Sequence, residues 1–238
     1  MKKLVVFVLT ILICLSTVVE AQNQDSNSTR DTSNLNLKSL VLPVGFSVYG
    51  YSSLIFRPFR EIDYNIQDRW ASDRGTSVDD FLIYTPLVMD AGLSIAGVRS
   101  ANEYPDKLAL YLMSTLINAI LVYPVKRIIS RERPDFSNHH SLPSGHTSNA
   151  FVGAAFFHQE YRKTAPVISG AGYLTATATG YLRIHNNKHW FSDVIAGAGI
   201  GILSTKLSYY LYPRIKKCCL NQKGVSTPIY GLEVLCKE

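Results

Sequence analysis

Residues 108–129 read LALYLMSTLINAILVYPVKRII. Up to Lys126 the run is apolar except for Ser114, Thr115 and Asn118, and it shows no alternation of period two. That pattern is a helix rather than a strand, long enough for the ~20 residues a bilayer requires. Similar segments lie to either side. Val41–Phe56 and Phe81–Val98 precede it, and Thr147–Tyr161, Ala165–Ile184 and Val194–Tyr212 follow. The last three are rich in small residues, with Gly197, Gly199 and Gly201 in the final one, and small residues let helices approach closely. The expectation is an all-α fold, a helical bundle of about five to six core helices, membrane-associated or partly membrane-spanning. It forms one domain over residues 39–215, followed by a C-terminal tail over 216–238.

Composition narrows the class. The 238 residues are 47% hydrophobic and 18% charged, with a mean hydropathy of +0.06. Disorder along the whole chain is excluded, because disorder needs low hydrophobicity and high charge. The mean is also low for a multi-span membrane protein, so placement has to be settled segment by segment. The formal net charge of +6 suits an anionic partner such as a phosphate or a lipid headgroup. No stripe of basic and aromatic residues points to nucleic acid.

The N-terminus reads as a targeting segment. Lys2 and Lys3 precede an apolar run from Leu4 to Val19, and Val19-Glu20-Ala21 offers small residues for cleavage. This is the layout of a secretory signal peptide over residues 1–21, with an uncleaved anchor as the alternative. Its loss leaves the chain basic. Residues 22–38, rich in Asn, Ser, Asp and Thr, read as a disordered linker. Cys218, Cys219 and Cys236 are too few for a disulfide framework, although one bridge from Cys236 to the adjacent pair is open. Val225–Leu235 reads as a short strand.

Three small constellations carry chemistry. In the first, Lys126 precedes Arg133-Pro134 by seven positions. Nearly two helical turns would put both cations on one face, with Pro134 biasing Arg133 toward the helix end. In the second, Pro143-Ser144-Gly145-His146 opens a helix. Ser144 is an N-cap candidate, free backbone N–H groups follow it, and Gly145 admits a ligand close to the backbone. His146 can exchange a proton in the same place. In the third, Arg183 precedes His189 and Asp193. Histidine and carboxylate four apart, one helical turn, let the carboxylate orient the ring, and an arginine can fork onto phosphate oxygens. His185 and His189 share that spacing, but no third ligand sits where zinc would need it. Cations and histidines at helix ends, without an acidic cluster for magnesium, form a set suited to metal-free phosphoryl transfer.

The three segments together, Lys126-x6-Arg133-Pro134, Pro143-Ser144-Gly145-His146 and Arg183-x5-His189-x3-Asp193, resemble the signature of the type 2 phosphatidic acid phosphatases. That superfamily also contains bacterial non-specific acid phosphatases and vanadium haloperoxidases. The resemblance spans roughly Val78–Tyr212, with one departure: Leu182 stands where the third motif usually has Ser. It implies a helical phosphatase with no cofactor. His189 is then the nucleophile and forms a phosphohistidine, Asp193 holds its ring, and His146 protonates the leaving oxygen and later activates water. Lys126, Arg133, Arg183, the Ser144 hydroxyl and the Gly145 N–H bind phosphate.

The membrane members of this family place the site on the outer face. The same placement follows here if the signal segment crosses outward and Val41–Phe56 does not span. Lys126, His146 and His189 then face the periplasm of an exported enzyme, and Arg162-Lys163 and Arg214-Lys216-Lys217 face the cytoplasm. Short Thr147–Tyr161, with His158 and Glu160 inside it, and Lys206 mid-helix favour instead a domain docked on the bilayer. The expected substrate is a phosphorylated membrane lipid, lipid A first. Undecaprenyl diphosphate and phosphatidylglycerol phosphate are alternatives, as is a soluble acid phosphatase. The motifs address only the phosphate, so the sequence leaves the rest of the substrate and the oligomeric state open.

Overall fold

The computed structural model describes residues 37–72 and 75–222. The proposed signal peptide, most of the linker, the 225–235 strand and Cys236 lie outside them. Among the described residues the secondary structure is all helical. The helices are α1 (Leu37–Ser52), α2 (Arg57–Trp70), α3 (Val78–Leu82), α4 (Thr85–Ile95), α5 (Tyr104–Ile129), α6 (Gly145–Tyr161), α7 (Pro166–His185) and α8 (Phe191–Gln222). The first begins inside the stretch read as linker. The last runs on past residue 215 into the stretch expected to be the tail.

The breaks between helices have local causes. Pro58 and Pro86 sit in the first turns of α2 and α4, where a missing N–H costs nothing. The expected single helix over Phe81–Val98 is therefore two, because Pro86 cannot continue the turn begun at Val78 and opens a new one. At the other boundary the chain turns by 91° between α1 and α2. Helix α2 itself was not foreseen. Its buried residues are Asp63 and Gln67, so its inward face is polar and gives no apolar stripe.

Helix α6 is the centre of the molecule. Most of its residues are buried, and α5, α7 and α8 pack around it, with α1 against the far side of α8. Two glycines of α8 set the closest approach. A Cβ on Gly197 would lie 2.6 Å from the Ser144 carbonyl oxygen, and one on Gly201 would run into the Ser148 carbonyl. Gly199, on the opposite side, meets Pro43 and Ser47 of α1. The alternating glycines thus let one helix pack tightly on two neighbours.

The apolar surface is on the outside. Leu108, Leu112, Leu116 and Ile120 form an exposed row down α5, the spacing of one helical face. Both α5 and the Phe191–Cys218 part of α8 are long and apolar enough to cross a membrane. The polar residues of α6 that argued against a membrane setting are turned inward. Glu160 is buried, accepts from Asn102 Nδ2 at 2.7 Å and pairs with the Tyr209 hydroxyl. His158 Nδ1 lies 3.2 Å from Ser169 Oγ. The molecule is thus a membrane-associated helical bundle, as its apolar exterior requires.

Gly197→Ala should separate α8 from the turn that begins α6. A loss of about 1–3 kcal/mol is expected from overpacking, seen as a lower unfolding midpoint in detergent, whereas Gly45→Ala, which meets nothing within 4 Å, should cost far less. An unchanged midpoint for Gly197→Ala would overturn this account of the packing.

Candidate active site

The C-terminal ends of α5 and α7 and the N-terminal ends of α6 and α8 meet at one end of the bundle. There the fold gathers the residues of the three motifs. Helix α5 stops at Ile129 because Ser130 takes a left-handed conformation, φ 51°. Arg133 is therefore in a loop and does not share a helix face with Lys126, contrary to the seven-residue reading. The loop returns it to the site: Arg133 N–H donates to the Asn138 carbonyl at 3.0 Å, and Ser141 N–H to the Arg131 carbonyl at 3.0 Å. Lys126 Nζ donates to the His140 carbonyl at 2.9 Å. Its Cε would touch a Cβ on Gly145 at 3.7 Å, so the lysine lies beside the start of α6.

Ser144 is the N-cap of α6, accepting from Thr147 N–H at 3.4 Å and from Thr147 Oγ1 at 2.9 Å. It is fully buried, and its own N–H donates to the Asp193 carbonyl at 3.0 Å. The beginnings of α6 and α8 are thereby tied together. Gly145 and His146 follow with their backbone at the positive end of the helix dipole.

His189 is not on a helix with Asp193 but in the turn before α8, which starts at Phe191. The two still face one another: His189 Nδ1 stands 3.7 Å from Asp193 Oδ2, just beyond hydrogen-bond length. Burial pushes the His189 pKa down to about 4, against the pull of Asp193, so its ring is neutral at physiological pH. With Nδ1 turned to the carboxylate, Nε2 is the nitrogen left to act as a nucleophile. Burial, and next the Arg183 guanidinium, lower the pKa of His146, while Asp80 and Asp79 raise it.

The electrostatics point to an anion. Burial and the neighbouring Arg183 push the Arg133 pKa down from its usual value, so the two guanidiniums repel at close range. Arg133 Nε and Arg183 Nε are both buried and have no hydrogen-bond partner among the described residues. Buried donors are normally satisfied, and two arginine N–H groups lacking acceptors beside a lysine and a helix N-terminus are the arrangement a phosphate completes. Among the described residues, no three His, Cys, Asp or Glu side chains gather as metal ligands. His185 Nδ1 instead lies 3.0 Å from the Trp70 carbonyl.

Several residues of this site escaped the sequence reading. Arg131, two positions before Arg133, joins two buried carboxylates. Its Nη1 donates to Asp193 Oδ1 at 2.8 Å and to Ser192 Oγ at 2.7 Å, and its Nη2 to Asp63 Oδ2 at 2.7 Å. Asp193 Oδ2 accepts from the Ser141 hydroxyl and from Trp190 N–H, the latter at 2.9 Å. Arg183 Nη1 donates to Asp79 Oδ2 at 2.6 Å, and Asn186 Nδ2 to Asp79 Oδ1 at 3.0 Å. The only sequence signal for these was the charge itself in otherwise apolar surroundings: Asp79-Asp80 at the head of an apolar run and Arg131 after one.

The PAP2 superfamily profile matches residues 107–217. A lipid A 1-phosphatase of Porphyromonas gingivalis is 36% identical over 159 residues, 63% of this chain and 35% of its own length. A lipid A 1-phosphatase of Rhizobium johnstonii is 30% identical over 157 residues, 56% of this chain and 63% of its own. The present chain therefore spans about a third of the first relative and somewhat under two thirds of the second. Among solved structures, a transmembrane PAP2 type phosphatidylglycerolphosphate phosphatase from Bacillus subtilis superposes with a TM-score of 0.50 at 19% identity, over 74% of this chain and 98% of that one. At that identity the likeness speaks for the fold alone. The profile match takes in all three motifs, and over residues 107–217 the chain is similar to the PAP2 superfamily.

Proposed function

We propose that this chain is a phosphatase that hydrolyses a phosphate monoester of a membrane lipid, lipid A first among the candidates, through a phosphohistidine and without a metal ion. The observation that carries the reading is the meeting of Lys126, Arg133, Arg183, His146 and the His189–Asp193 pair at one end of the bundle, with two guanidinium N–H groups left without acceptors. The substrate bet is supported by the similarity to two lipid A 1-phosphatases and by the apolar exterior, which suits a substrate delivered from a bilayer.

In this mechanism the neutral Nε2 of His189 attacks phosphorus, and the bond to the leaving oxygen breaks as the N–P bond forms. Asp193 stabilises the positive charge that the ring acquires. Charge spreads over the equatorial oxygens, where Lys126, Arg133, Arg183 and the Gly145 N–H meet it. The Ser144 hydroxyl, buried as the N-cap, contributes from behind. His146 gives its proton to the departing oxygen and then takes one from the water that hydrolyses the phosphohistidine. The basic residues Arg162-Lys163 and Arg214-Lys216-Lys217, which lie at the far ends of α6 and α8, support a periplasmic setting for this end of an exported protein.

His189→Ala should abolish turnover, a fall of about 10⁴-fold or more, with the helical signal retained; near-normal activity in that variant would overturn the assignment. Activity should survive EDTA and be inhibited by vanadate, and a strict need for added divalent metal would count against the site. Mass spectrometry of lipid A with and without the gene tests the substrate, since unchanged phosphate numbers would exclude lipid A.

The pH profile has a definite sign. The nucleophile must be neutral, which for His189 holds above about 4. The acid must be protonated, and His146 is held below its ordinary 6.5. kcat/KM is thus expected to rise through about pH 4 and to fall before pH 6.5. A maximum in the alkaline range would contradict these roles.

A further inference from the structure

Helix α3 carries Asp79 and Asp80 side by side, and neither belongs to the three motifs. Asp79 is buried and anchored, bound to Arg183 and Asn186. Asn186 fastens the preceding strand of chain as well, through Thr76 N–H at 2.9 Å and the Thr76 carbonyl at 2.7 Å. The phosphate-binding arginine and the turn after α7 thereby fix where α3 sits. That placement delivers Asp80 to His146: His146 Nε2 lies 2.9 Å from Asp80 Oδ1.

A carboxylate can only accept, so the ring nitrogen donates. The bond assigns Nε2 to Asp80 and leaves Nδ1 as the nitrogen that exchanges a proton with the reacting oxygens. The site then holds two imidazole–carboxylate pairs with opposite tasks. In His189–Asp193 both partners are buried. In His146–Asp80 the side chains are 38% and 57% exposed. An exposed ion pair contributes little to folding, so stability does not account for this one.

We propose that Asp80 is the positioning residue of the proton-transferring histidine, orienting its ring and holding the charged form ready for the leaving oxygen. This rests on the reading of His146 as the acid. As the His189 Nε2–P bond forms and the P–O bond breaks, the leaving oxygen takes the Nδ1 proton, and His146 becomes neutral while keeping its Nε2–H on Asp80. As water attacks the phosphohistidine, Nδ1 takes a proton back and the pair is restored. The influences on His146 divide by element: burial and then Arg183 of α7 oppose its protonation, Asp80 and Asp79 of α3 favour it, and Lys126 of α5 lies beside the neighbouring Gly145. With Asp79 committed to Arg183, Asp80 is the carboxylate in contact with the ring.

The test compares leaving groups. A 4-nitrophenolate departs without a proton, whereas an alkoxide needs one. Asp80→Asn keeps an acceptor of the same shape and removes the charge. Its kcat/KM should fall at least about tenfold more for octyl phosphate than for 4-nitrophenyl phosphate, and the alkaline limb of its pH profile should move to lower pH. Asp80→Glu should restore most of the difference. Equal losses on both substrates, no loss, or an unmoved alkaline limb would overturn the proposal. His146→Ala is measured alongside. If it is selective for octyl phosphate and Asp80→Asn is not, the proposal for Asp80 fails alone. If His146→Ala lowers both substrates equally, the acid assignment fails and this inference goes with it.

Discussion

The bond network around Arg131 is the constraint on which the rest of the site depends. Asp63 and Asp193 are both completely buried, and a carboxylate without a partner in such a place is strongly disfavoured. One guanidinium serves both, through separate nitrogens. Because Arg131 also donates to Ser53 at 3.2 Å and to Ser192, the end of α1, the helix α2, the loop after α5 and the start of α8 converge on it. Removing one member of a buried pair costs about 3–5 kcal/mol, chiefly because the other is left uncompensated. The turn that carries His189 therefore has few freedoms: Asp193 cannot rotate without giving up Arg131, Ser141 and Trp190 together.

A site for phosphate must hold cations close to one another before the anion arrives. Here the repulsion is met in different ways at each position. Arg183 is paired on one edge with Asp79, leaving Nε without an acceptor. Lys126 rests its ammonium on loop carbonyls. Among the described residues no carboxylate lies within bonding distance of Arg133; the nearby Lys188–Asp135 pair, at 2.7 Å, instead brings a carboxylate that acts on it from a distance. Each cation is held by its stem or one edge and keeps donors in reserve. On the proposed function, that is electrostatic preorganisation, in which reorganisation is completed during folding and none would be required when charge develops on a phosphate.

The helices of the bundle were legible because their signal is local: apolar runs without alternation, opened by Pro or Ser and rich in small residues where they cross. The motif residues were legible because their types and spacings are. What the sequence hid depends on pairing across the fold. Helix α2 shows no apolar stripe because its inner face is Asp63 and Gln67, whose partners Arg131, Ser192 and Asn187 lie far along the chain. The relation of Lys126 to Arg133 was misread because a left-handed Ser130 ends the helix between them, and spacing alone cannot show which residue takes that conformation. His189 and Asp193 were placed on one helical turn, whereas a capped turn before α8 brings them together. Asp79 and Asp80 belong to no motif, and only the packing of α3 sets them against Arg183 and His146.

The same separation explains the mean hydropathy of +0.06, which looked low for a protein in a membrane. An average over the chain assumes that polar residues face water. In this fold many face one another: Glu160 with Asn102, Lys107 with Asp90 at 2.7 Å, Arg183 with Asp79, Arg131 with Asp63 and Asp193. The exterior carries the apolar side chains instead, with Val167 88% and Leu174 73% exposed on α7. Hydrocarbon supplies no hydrogen bonds, so a bundle set in it must satisfy its polar groups internally. A polar interior beneath an apolar surface is the state in which such a composition is stable in a bilayer. On the proposed function, the same arrangement would bring a lipid's phosphate to the cationic end while its acyl chains remain in the bilayer.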